Sequence, residues 1–138
     1  NLLRYGGPFL MDFIRQTDAS VILDRFYPCE YVYANAFKRE TDMNALVWMD
    51  ENFSEAGGKF IICLRKDYSG LVDDQYPDQL PPEMLRTLDI NYRQFTECTS
   101  CDYLVLETDD MDLNKQVEKI RIFLGIREQE AEDFCVYS

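Results

Sequence analysis

Val21-Ile22-Leu23-Asp24-Arg25 is a short apolar run that ends in an acid and a base. Phe26-Tyr27-Pro28-Cys29-Glu30-Tyr31-Val32-Tyr33 follows it. β-Branched and apolar residues between polar flanks read as a buried parallel strand. Pro28 then suits the start of a helix. A strand that delivers Asp24 and Arg25 at its carboxyl end places two charges at the mouth of a parallel sheet, where open α/β domains hold their ligands. In isolation an Asp-Arg dipeptide is an ordinary strand-end ion pair. The strand before it, and the aromatics and Pro-initiated helix after it, favour the active edge of a phosphate-handling domain.

Working outward, strands and helices alternate. Gly7-Pro8 reads as a helix start, with Phe9, Leu10, Phe13 and Ile14 as its apolar face and Asp18 at its exit. Asp42 is placed to cap a helix built on Leu46, Met49 and Phe53, which Gly57-Gly58 terminates. Lys59 to Leu64 reads as a second strand and runs into Arg65-Lys66-Asp67. Residues 67–82 read as a polar loop or flap. A long helix from Pro82-Glu83 carries Leu85, Leu88, Tyr92 and Phe95 at helical spacing. Asp102 to Glu107 reads as a third strand. Asp109, Asp110 and Asp112 precede a helix whose face should be Leu113, Val117, Ile120 and Leu124, closed by Gly125. The acidic tail, 127–138, offers Phe134, Val136 and Tyr137 for docking back. The pattern implies βαβ crossovers, a parallel sheet and helices on both faces, in one domain over 1–138. Three strands make a narrow sheet, so a further strand is expected outside this chain.

The 138 residues suffice for one real core. With 26 acidic and 14 basic residues, the formal charge is -12. Such a surface repels nucleic acid, yet a few local cations and a metal ion can still admit a small anion. No apolar run reaches the ~20 residues of a membrane span. Arg4 followed by Gly6-Gly7-Pro8 is unlike a signal peptide. Five scattered cysteines suit reduced thiols and a cytoplasmic setting. The absence of His rules out His-based metal sites and Ser-His-Asp triads. The chain opens on Asn1 without a cap or turn signal, so a natural start further upstream is expected.

Asp24-Arg25-Phe26, with Cys29 and Tyr33 beyond, resembles the strand-end segment of thymidylate kinases and related deoxynucleoside kinases, which are P-loop phosphotransferases. The order of elements over residues 9–125 is similar to that family, with 65–86 where its lid lies. The resemblance implies a three-layer α/β fold, a parallel sheet flanked by helices, that lacks the first strand and the P-loop. It implies transfer of the ATP γ-phosphate to a nucleoside or nucleoside monophosphate, the thymidylate type favoured, with Mg²⁺. Arg25 would face the acceptor's phosphate or sugar, and Asp24 the metal or the acceptor hydroxyl. Phe26, Tyr27 and Tyr33 would shape the base pocket, and core packing explains each of them equally well. Arg65, Lys66 and Arg86 would hold donor phosphates. The implied partners are a nucleotide or nucleoside, with neither nucleic acid nor membrane, and a homodimer is left open.

The chain departs from that family where phosphate is held. G-x-x-x-x-G-K-[ST] cradles phosphate with backbone N–H groups. Gly57-Gly58-Lys59 is followed by Phe60, and Gly6-Gly7 by Pro8, so neither fits. Leu71-Val72-Asp73-Asp74-Gln75 brings no arginine to the lid. A P-loop supplied upstream would restore the kinase reading. Without one, a non-catalytic relative acting as a binding or assembly module is the first alternative, and an unrelated flavodoxin-like domain the second. Cys98-Thr99-Ser100-Cys101 follows a helix and precedes a strand, the reverse of a redox motif, and lacks the second ligand pair that zinc requires. The Asp109 to Asp112 cluster lacks the spacing of a calcium loop and reads as a charged helix start.

Overall fold

The computed structural model describes residues 2–69, 80–126 and 134–137. Five helices and four strands follow one another as α1 (Leu2–Gln16), β1 (Ser20–Leu23), α2 (Tyr27–Ala36), α3 (Met43–Glu55), β2 (Lys59–Leu64), α4 (Pro82–Cys98), β3 (Asp102–Glu107), α5 (Leu113–Leu124) and β4 (Phe134–Tyr137). The class is α/β. Its strands form two separate parallel ladders, β1 with β4 and β2 with β3. The first pairs Ser20 with Phe134 through Leu23 with Tyr137, and the second Lys59 with Asp102 through Leu64 with Glu107. α4 is the crossover that parallel pairing of β2 and β3 demands. Thr108 prolongs their ladder by donating both its N–H and its hydroxyl to the Leu64 carbonyl, at 2.9 and 3.0 Å.

Local chemistry explains most boundaries. Asp42 accepts from the Ala45 N–H at 3.0 Å and Asp112 from the Lys115 N–H at 2.9 Å, so each satisfies an orphan donor of its helix. Gly57 (φ 78°) and Gly125 (φ 66°) take the left-handed turns that end α3 and α5. Gly57-Gly58 therefore serves as a helix stop, with Gly58 pressed against the Phe53 ring, which a Cβ would overlap.

One core joins the layers. Met11, Tyr27, Val32, Leu46, Met49, Ile62, Leu64, Leu88 and Phe95 pack together from α1 to α4 and β2. Tyr27 meets Phe60 and Phe95 edge-on at 5.6 and 6.3 Å between ring centres, a favourable aromatic geometry. α1 packs on α3 through Gly7, where a Cβ would stand 2.6 Å from the Met49 sulfur.

Four expectations need correction. α1 begins near Leu2 rather than at Gly7-Pro8, and Pro8 lies inside it. Proline there withholds its N–H from the Arg4 carbonyl and crowds that carbonyl with its ring, and packing of Gly7 and Met11 outweighs that cost. β1 is half-exposed rather than buried, with Ile22 43% exposed. α5 buries none of its residues: Leu113 is 72% and Val117 47% exposed. The described residues form four strands rather than three, because the tail supplies β4. Among the described residues no helix is long and apolar enough to cross a membrane.

Candidate functional site

β1 ends at Leu23, and Asp24 and Arg25 follow in a bend, both exposed. Arg25 takes φ 63°, the left-handed region that a non-glycine residue adopts only at a cost. The chain then straightens through Phe26 (φ -147°) and enters α2, whose early Pro28 requires no N–H partner. Neither Asp24 nor Arg25 makes a hydrogen bond or ion pair with another described residue. Arg25 does act electrostatically on Tyr92 of α4. The Tyr92 hydroxyl lies 3.2 Å from the Cys29 thiol. Burial pushes the Tyr92 phenol up, Cys29 and Tyr33 add to the shift, and the Arg25 guanidinium opposes it. Cys29 thus touches Tyr92, while Arg25 and Tyr33 act on it through space.

The expected base-pocket residues divide. Tyr33 is half-buried and stacks on Phe37 at 6.0 Å. Phe26 packs edge-on against Phe53 at 5.3 Å. Tyr27 is core, 2% exposed, and donates its hydroxyl to Asp50 Oδ1 at 2.7 Å. Asp50 also accepts from the Thr99 hydroxyl and the Ser100 N–H, both at 2.6 Å. That carboxylate ties α3 to the turn between α4 and β3. Beside it a mostly apolar cavity of about 130 Å³ opens between Tyr31, Leu46, Val47 and Phe95. Asp24 and Arg25 do not line it.

The carboxyl ends of β2 and β3 carry a second set of charges, and these are paired. Asp109 accepts from the N–H groups of Lys66 and Asp67 at 2.9 and 3.0 Å, which holds its carboxyl below the usual range. Lys66 Nζ meets Asp110 at 2.6 Å, which raises the ammonium. Arg65 donates Nε to the Asp67 carbonyl at 3.2 Å. Arg93 bridges Asp89 at 2.6 Å and Glu107 at 2.8 Å. Tyr68 donates to Asp89 at 2.8 Å, and burial first, then this bond, pushes its phenol up to about 12. Arg86 is exposed on α4, and its charge helps lower the Asp67 carboxyl. The middle of the expected lid, 70–79, lies outside the described residues, as do 127–133.

Among the described residues no group of three or more acidic or thiol side chains is placed to hold a metal. Spacing alone puts Tyr92 on a core stripe and does not reveal its contact with Cys29, the bonds of Asp50 or the Asp89–Arg93–Glu107 chain. The i,i+4 spacing of Asp89 and Arg93 was a usable signal, and an acid beside Met49 on an apolar stripe was another. No family model, curated protein or solved structure matches the chain.

Proposed function

We propose that the chain is the acceptor-binding part of a nucleoside or nucleotide phosphotransferase, with a P-loop-kinase-like fold and a thymidylate-type acceptor favoured. One observation carries the reading: Arg25 sits in a costly left-handed conformation at a strand end, without a carboxylate partner among the described residues, in a chain of charge -12. Strain of this kind persists where the surroundings impose it and gathers at ligand sites. A guanidinium left unpaired suits bidentate capture of a phosphate. Tyr92, within electrostatic reach of Arg25, and the half-buried Tyr33 on α2 would offer aromatic surface on which a base can rest.

Asp24 supplies a single exposed carboxylate. Mg²⁺ characteristically takes one or two carboxylates and completes its shell with water and substrate phosphates, so Asp24 fits a metal that arrives with ATP. Bound there, Mg²⁺ would neutralise donor-phosphate charge. Arg25 would orient the acceptor, and Asp24 would otherwise accept the proton of its hydroxyl. The free thiols Cys29, Cys63, Cys98 and Cys101 suit a reducing, cytoplasmic setting.

A second reading, a binding or assembly module of the same fold, draws on the basic groups already neutralised at the β2–β3 end and on the exposed apolar faces of α1 and α5. One experiment on the chain separates them: calorimetric titration with a panel of nucleosides and nucleoside monophosphates. The kinase reading expects a monophosphate to bind and Arg25→Lys to weaken it by roughly tenfold, the loss of one charge-assisted bond. Failure of every member of the panel to bind would overturn it.

A further inference from the structure

The cavity beside Asp50 is separate from the strand end that holds Arg25, and the acceptor reading leaves it without a role. Its inner wall is Tyr27, Leu46 and Phe95, all buried, from α2, α3 and α4. Met43 and Val47, one turn apart on α3 and half exposed, carry the apolar lining out to the mouth. Together with Leu46, Asp50 and Glu51 they recur at three- and four-residue spacing, so one face of α3 forms this side of the cavity. About 130 Å³ is open between these groups. An apolar cavity of about 150 Å³ takes a benzene-sized ring, so a single small ring is the scale of occupant that fits.

The charges of the lining have one sign. Among the described residues that line the cavity, Asp50 and Glu51 alone are charged. Asp50 Oδ1 accepts from Tyr27 and Thr99, and among the described residues Oδ2 accepts only from the Ser100 N–H. A carboxylate has about four acceptor positions, so Asp50 keeps one. Glu51 is exposed at the mouth and makes neither a hydrogen bond nor an ion pair with another described residue. Such a wall repels an anion, and a neutral ring leaves both carboxylates to water. We infer that the cavity binds a small ring-bearing primary ammonium, its ring against Leu46 and Phe95 and its charge drawn to Asp50 and Glu51. The N–H groups of the ammonium donate to carboxylate. Tyr27, Tyr31 and Phe95 offer aromatic surface to both the ring and the charge.

Amide NMR of the chain titrated with benzylamine tests this, with the similarly sized benzyl alcohol and benzoate as comparisons. Benzylamine should shift the amides of Leu46, Val47 and Thr99 saturably, with a dissociation constant of about a millimolar, the range open to so few atoms. Benzyl alcohol should bind roughly fivefold more weakly, and benzoate not at all. Glu51→Gln should weaken benzylamine by roughly threefold to fivefold and leave benzyl alcohol unchanged. Val47→Phe fills the mouth and should abolish binding. Val47 is half exposed, so the fold is kept, as circular dichroism checks. Benzylamine should also slow alkylation of Cys98, an exposed thiol of the lining, and not that of Cys63, an exposed thiol on β2. The absence of a saturable shift with benzylamine would overturn the proposal, and so would binding that survives Val47→Phe. Benzoate or benzyl alcohol binding as tightly as benzylamine would overturn the choice of a cation. None of these outcomes involves Arg25, so this site and the nucleotide reading stand or fall separately.

Discussion

Asp50, to which Tyr27 donates, and the Asp24-Arg25 pair just ahead of Tyr27 in the chain do opposite things. Asp50 is 9% exposed and accepts from Tyr27, Thr99 and Ser100. Buried charge is tolerated when hydrogen bonds replace the lost water, so Asp50 fixes α3, the start of α2 and the entry to β3 in one arrangement. Asp24 and Arg25 are exposed, bond to no other described side chain, and Arg25 carries backbone strain. The difference teaches where to look for function. Charges that the fold has satisfied hold the fold; charges that it leaves unsatisfied at a cost remain available to a ligand. The ion pairs at the end of β2 and β3 belong with Asp50 in this division.

The division can be broken most forcefully at Asp50. Asp50→Ala leaves a buried hydroxyl, a second hydroxyl and a backbone N–H without an acceptor, at about 1–3 kcal/mol each when dry. The adjoining cavity admits water to part of this gap, so a net loss of about 3 kcal/mol is expected in urea denaturation. A loss under about 1 kcal/mol would mean that the carboxylate is incidental to the fold. Tyr27→Phe removes one of the three O–H and N–H donors and keeps the ring contacts, so about 1 kcal/mol should be lost by the same measurement.

The opposite sign is expected at the strand end. Arg25→Gly removes the penalty of a side chain at φ 63° and should stabilise the chain by roughly 1 kcal/mol, seen as a higher midpoint in urea. Destabilisation would show that Arg25 is structural.

The smallest effect concerns Tyr68. Its phenol ionises at about 12 in the folded chain, against about 10 when unfolded. The folded state therefore holds its proton longer, and the stability this contributes is present below pH 10 and lost as pH rises through 12. Ultraviolet titration of the phenolates should show a component near 12 that disappears in Tyr68→Phe. No change in that component would detach Tyr68 from Asp89.

Features set by neighbours in sequence were legible beforehand. The caps at Asp42 and Asp112, the stops at Gly57 and Gly125, and the apolar runs of β1, β2 and β3 each depend on a few adjacent residues. Features set by distant residues were not. Pro8 looked like a helix start because the packing of Gly7 on Met49, which carries α1 past it, involves residues 42 positions apart. The pairing of β4 with β1 joins the two ends of the chain, and periodicity does not report it. α5 has an apolar stripe as regular as those that are buried, yet nothing among the described residues covers Leu113 or Ile122. At the candidate site, Asp24 and Arg25 were legible as a strand end, whereas the left-handed turn at Arg25 and the approach of Tyr92 belong to the tertiary structure.

The most direct test of the ligand role of Arg25 is one calorimetric comparison: a nucleoside monophosphate titrated into the wild type and into Arg25→Gly, with thermal midpoints recorded on the same samples. Expected is a variant that melts higher and binds roughly tenfold more weakly, or not at all, because a charge-assisted contact has gone while strain has been relieved. Equal affinity in the two proteins would contradict it, and would leave the left-handed arginine without a functional cause.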